Sequence, residues 1–185
     1  MTPTGLPNAD LDTSKPLGAR FAAQGAWTFR DAARLVWDLP FGRPRHSGPD
    51  AVLRSGRGTG CDKHALLAAL AQEVGLPVEL RLGLYVMTGD NTRGVGRALR
   101  AHRVEAVPEA HCVLAVGDDR VDLTWPGRHT PIPPFSEEVA IGPDQAGAYK
   151  RRWHRERVDA WAQARDLDAD RLWAAREAAI DALSQ

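Results

Sequence analysis

Between Gly58 and Val86 the hydrophobic period of the chain changes once, and that change fixes the order of two elements. Leu66, Leu67, Leu70 and Val74 recur at helical spacing, and Gly75 with Pro77 ends the helix. Val78, Leu80, Leu82, Leu84 and Val86 then alternate with Glu79, Arg81, Gly83 and Tyr85, the pattern of a strand with one buried face. Thr59 with Asp62 three residues on reads as a capping box, which makes Thr59 the N-cap and puts Cys61 in the first helical turn. The apolar face of such a helix is buried against a sheet. The expected class is therefore α/β (α+β), with the cysteine helix at its centre.

The flanking segments supply the rest of that sheet and more helices. Residues 1–18, rich in Pro, Gly, Asp, Thr and Ser without an apolar period, read as a flexible N-terminal arm, 19–142 as the core, and 143–185 as a helical extension packed on it. Thr28 and Asp31 cap a helix that Pro40 stops, and Pro49 opens a short helix through Leu53. Thr88 to Pro108 begins irregularly, carries a short helix near Arg97 to His102, and is expected to border the site and select substrate. HCVLAV and RVDLT flank Gly117-Asp118-Asp119 as an antiparallel hairpin, and the tail holds a helix to about Arg165 followed by one capped at Asp168.

Charge and cysteine content exclude several classes. The 185 residues carry 24 Lys and Arg against 24 Asp and Glu, so no global field draws the chain to nucleic acid or to an anionic membrane. No apolar run approaches the roughly 18 residues of a membrane span, and the N-terminus lacks the order of a signal peptide. The expectation is a cytoplasmic protein in which Cys61 and Cys112 are reduced.

A thiol at a helix N-terminus is a candidate nucleophile, because unpaired backbone N–H groups there favour thiolate and offer donors to an oxyanion. The hairpin supplies a candidate base. If Gly117-Asp118 is a two-residue type II′ turn, Val116 pairs with Asp119, and counting outward pairs Val113 with Asp122. His111 then shares a sheet face with Asp122 as a diagonal pair about 7 to 8 Å apart. Asp122 would orient the His111 ring and stabilise its imidazolium.

Three ordered motifs resemble the transglutaminase-like superfamily, which has a papain-like core. Gly60-Cys61 with Ala65, the Leu-rich helix and Gly75-Leu76-Pro77 match its nucleophile element, EAHCVLAV its strand-opening histidine, and Val121-Asp122-Leu123-Thr124-Trp125 its aspartate setting. The stretch from Trp37 to Gly58 is also similar to the segment leading into the cysteine of bacterial members. The resemblance covers roughly residues 20 to 130 and implies acyl transfer on a peptide or protein amide by Cys61, His111 and Asp122, without a cofactor. Trp37 and Gln72 are candidates by residue type for a side-chain oxyanion donor. The alternative is an inactive relative that serves as a protein-binding module.

The same residues admit other readings. His64, one turn beyond Cys61, reads as a solvated helix residue or one at the mouth of the cleft, since the sequence offers it no orienting partner. Cys112 alternates with His111 along the strand and reads as a small buried hydrophobe behind the site. Cys61, His64, His111 and Cys112 have the composition of a zinc set, but adjacent strand residues point to opposite faces, so no metal is assigned. KRRWHRER, Lys150 to Arg157, reads as a solvated helical face docked through Tyr149, Trp153 and Trp161, not as a nucleic-acid site.

Overall fold

The structure, a computed structural model, describes residues 5–128 and 131–184. It combines helices with a four-stranded antiparallel sheet of order β3-β2-β1-β4. In chain order the elements are α1 (Pro16–Ala22), α2 (Phe29–Asp38), α3 (Ala51–Ser55), α4 (Gly60–Glu73), β1 (Glu79–Thr88), α5 (Gly96–Ala101), β2 (Ala106–Val116), β3 (Asp119–Val121), β4 (Glu137–Ile141), α6 (Ala148–Gln163) and α7 (Ala169–Leu183). No described helix is long and apolar enough to cross a membrane.

The chain divides into two compact units that cut across the boundaries expected from sequence. The first runs up to Leu82 and includes Cys112–Ile132 and Val139–Ala146; the second comprises Gly83–His111, Pro133–Glu138 and Gly147–Gln185. In the first unit α4 packs against α1, α2 and α3, over a core that includes Phe21, Phe29, Trp37, Leu67 and Leu70. Both capping boxes form: the Thr28 and Thr59 hydroxyls accept from the Asp31 and Asp62 N–H groups, and each aspartate accepts in return from its N-cap N–H.

The N-terminal segment departs from the expected arm. Leu6, Leu11 and Leu17 are buried, and Pro16 sits at the first positions of α1, where its missing N–H costs nothing. The Glu73 carboxylate at the end of α4 accepts from the Leu17 and Gly18 N–H groups at 3.1 Å each, completing the α1 N-terminus. Gly18 lets the chain at Asp12 pass close against α1, since a Cβ there would run into the Asp12 carbonyl oxygen. Leu6 and Leu11 belong to no helical or strand period, so the sequence pattern missed them. Residues 1–4 of the expected arm lie outside the described residues.

The second unit joins α5 and part of β2 to α6 and α7. Val95, Leu99, Val104 and Val107 pack with Val158, Ala162, Leu172, Ala175 and Ala179 in one apolar cluster. The segment read as irregular therefore belongs with the tail helices, which are not an appendage of contiguous sequence. On β1 the expected single face holds only at first: Leu80 and Leu82 are buried, but beyond Gly83 it is Tyr85 and Met87 that are buried while Leu84 and Val86 are half-buried. Gly83 marks the change, because the Phe135 ring lies where its Cβ would be, 2.2 Å from the nearest ring atom. Helix α6 docks through Trp153, His154, Val158 and Ala162, with Tyr149 and Trp161 half-buried. Arg151 and Arg152 of the basic run are exposed, and Arg155 pairs with Asp159 and Asp170. Strand β4 has only Val139 and Ile141 as strong strand formers, and its period-2 signal is too short to read from sequence.

Candidate functional site

Cys61 is the second residue of α4 after the Thr59 cap, where backbone N–H groups have no helical partner and carry partial positive charge. It is 6% exposed, and its Sγ accepts from the Cys112 backbone N–H at 3.2 Å. The sulfur thus meets the positive end of a helix and a main-chain donor from a strand, both of which favour the thiolate. Both cysteines are buried and neither forms a disulfide.

The hairpin that carries Cys112 has the expected register. Val116 faces Asp119, Ala115 faces Arg120 and Leu114 faces Val121. Gly117 has φ +58° while Asp118 stays at negative φ, the combination of a type II′ turn. The strand β3 ends at Val121, short of the expected Thr124. Asp122 instead starts a local turn in which its Oδ1 accepts from the Thr124 N–H at 2.8 Å.

Two residues of α4 hold this turn, His64, expected from sequence to be solvated or at the cleft mouth, and Lys63. His64 is fully buried, not solvated, and its Nε2 accepts from the Leu123 N–H at 2.8 Å. A backbone N–H can only donate, so the ring is the neutral tautomer protonated at Nδ1. Asp122 Oδ1 lies 3.6 Å from the same Nε2. Lys63 is also fully buried and donates to the Leu39 carbonyl at 2.6 Å and the Thr124 carbonyl at 3.0 Å. Burial pushes its ammonium down to about 8, against the pull of the Asp122 and Asp38 carboxylates. The spacing held a signal: Lys63 and His64 precede Leu66, Leu67 and Ala68 by one turn, so they lie on the buried stripe of the helix.

His111 precedes Cys112 in β2 and is half-buried. Its ring lies edge-on to Tyr85, with centroids 6.4 Å apart, and 6.5 Å from Phe135. The two side-chain oxyanion candidates fare differently. Gln72 is exposed and eleven positions along α4 from Cys61, roughly 16 Å of helix rise, which excludes it. Trp37 is fully buried in α2. Among the described residues no group of three or more His, Cys, Asp and Glu side chains is arranged to hold a metal ion.

No protein-family model, curated protein or solved structure matches the chain.

Proposed function

We propose that the chain is a transglutaminase-like cysteine enzyme that transfers acyl groups from amide bonds, with Cys61 as nucleophile, His111 as base and Asp122 as the residue that orients it. The observation that supports this reading is the setting of the Cys61 sulfur: a first-turn position on α4 together with the Cys112 N–H at 3.2 Å, one residue after His111. In the proposed reaction His111 takes the thiol proton, Cys61 Sγ forms a bond to the carbonyl carbon, and the Cys61 backbone N–H stabilises the oxyanion. Collapse of the tetrahedral species breaks the C–N bond as His111 returns its proton to the leaving amine. The thioester is then opened by water, giving peptidase or deamidase activity, or by an amine, giving transamidation. Peptide and protein amides are the proposed substrates.

A second reading, an inactive fold of the same type acting as a protein-binding module, is favoured by Asp122, whose carboxylate faces His64 and the Thr124 N–H. A panel of peptide amides and amine acceptors, followed by ammonia release and cross-linked product, separates the two. Under the enzymatic reading Cys61→Ala abolishes turnover, and adding His111→Ala or Asp122→Asn to it costs little more, because the three act as a unit. Full turnover by Cys61→Ala sinks the assignment. No turnover anywhere, with Asp122→Asn weakening a protein partner while the fold persists, establishes the module.

A further inference from the structure

The hairpin register shows that a hydrogen-bonded rung between β2 and the chain beyond β3 has been replaced by side chains of α4. In a two-residue hairpin the residues flanking the turn, here Val116 and Asp119, exchange both main-chain hydrogen bonds, and such pairs recur at every second position. Leu114 and Val121 form the next pair, and Cys112 and Leu123 would form the third. In that third pair the Cys112 N–H would donate to the Leu123 carbonyl and the Leu123 N–H to the Cys112 carbonyl. Each N–H goes elsewhere: that of Cys112 to Cys61 Sγ at 3.2 Å, and that of Leu123 to His64 Nε2 at 2.8 Å. Cys61 and His64 are three positions apart on α4 and so stand one above the other on the helix. Between them they occupy the place of one rung.

The two substitutions are linked. A buried main-chain donor has to be satisfied, so the Leu123 N–H stays away from Cys112 only while an acceptor is held out to it. We propose that His64 is a positioning residue that keeps this rung open, so that the Cys112 amide is directed at the nucleophilic sulfur. Lys63 acts in the same sense one residue earlier, anchoring the Thr124 carbonyl next to Leu123. A neutral imidazole suits this role because it accepts at Nε2 without placing a charge in a buried site beside Asp122 and the Lys63 ammonium. Without the acceptor, the Leu123 N–H turns to the Cys112 carbonyl, the rung closes, and Cys61 Sγ loses its strand donor.

The inference rests on Cys61 being the nucleophile, yet its test needs no substrate. In protein labelled with nitrogen-15, a scalar coupling across the hydrogen bond between the Leu123 amide nitrogen and His64 Nε2 is expected; a Leu123 amide coupled to no ring nitrogen overturns the proposal. Iodoacetamide labelling of Cys61 as a function of pH, read by mass spectrometry, gives the consequence. His64→Leu, which removes the acceptor, is expected to slow Cys61 alkylation at pH 6 about tenfold by lowering its thiolate fraction. His64→Gln, whose carbonyl oxygen reaches the Nε2 position, is expected to keep the wild-type profile. An unchanged profile in folded His64→Leu, or equal loss in folded His64→Gln, overturns the proposal. Should His64→Leu not fold, the coupling and the His64→Gln profile decide. A His64-dependent sulfur in a protein that turns over no amide removes the enzymatic reading and leaves the positioning role. Amide turnover that survives His64→Leu with an unaltered alkylation profile does the reverse.

Discussion

In the second unit Glu109 and Arg176 close on each other through two hydrogen bonds of 2.7 and 2.6 Å, whereas in the first unit the buried Lys63 ammonium donates to the main-chain carbonyls of Leu39 and Thr124. Both arrangements satisfy a buried charge, but by different means. Burial raises the Glu109 carboxyl, and the charge and paired hydrogen bonds of Arg176 outweigh this and hold it at about 2. Arg176 is held above its ordinary value by the same pair, against burial. His154 beside them is kept low by burial, and its Nε2–H donates to the Pro108 carbonyl at 2.9 Å. In that cluster the carboxyl and the imidazole are both held below their ordinary values. In the first unit burial pushes Lys63 down to about 8, and the Cys61 sulfur accepts from a backbone amide. In the second unit an ion pair answers its own charges; in the first the polar groups are answered by the main chain.

The comparison breaks most readily at Arg176. Arg176→Met leaves the Glu109 carboxylate buried without its partner and is expected to cost about 3 to 5 kcal/mol in urea unfolding, with Glu109→Gln added to it recovering much of the loss. A cost under about 1 kcal/mol would mean that water reaches the pair. The corresponding change in the first unit, Lys63→Met, is expected to cost less, about 1 to 3 kcal/mol, because it strands two carbonyls but removes a poorly solvated charge.

The pH windows differ in the same way. The Glu109 carboxyl is lower in the folded chain than its ordinary 4.5, so its stabilisation is complete above that value and is lost as pH falls toward 2. Lys63 is lower than its ordinary 10.5, so the unfolded chain binds the extra proton, and its contribution to stability rises as pH climbs from about 8 to that value. Amide hydrogen exchange, followed separately for residues of α7 and of α4, should show acid sensitivity first in α7 and the alkaline gain in α4. Loss of both in one window would erase the distinction. The smallest effect concerns the cap. Thr59→Ala is expected to cost about 1 kcal/mol, and it should also slow Cys61 alkylation, whereas Thr28→Ala should cost a similar amount without touching that rate.

The parts legible in the sequence were those set by neighbours in the chain. The caps at Thr28, Thr59 and Asp168 form as their spacing dictates, and Gly117-Asp118 fixes the hairpin register. Cys61 at the start of its helix follows from the Thr59 to Asp62 spacing alone. What escaped depends on partners distant in sequence. Burial of Leu6 and Leu11, closure of α1 by Glu73, and the grouping of α5 with α6 and α7 leave no local period. Lys63 and His64 escaped for another reason: their chemical type suggests solvent, although their positions continue the apolar stripe of Leu66, Leu67 and Leu70. The hairpin register holds as far as Val121, but β3 stops before Asp122, whose carboxylate is beside His64.

The donor to the Cys61 sulfur is an amide that every amino acid except proline possesses. Residue 112 is fully buried, so its side chain has to stay small and apolar, but any residue of that kind delivers the same N–H as long as the strand keeps its course. A search of related chains for invariant side chains around the nucleophile would pass over this position entirely. Its mark would be an exclusion: several small apolar residues tolerated, and proline missing.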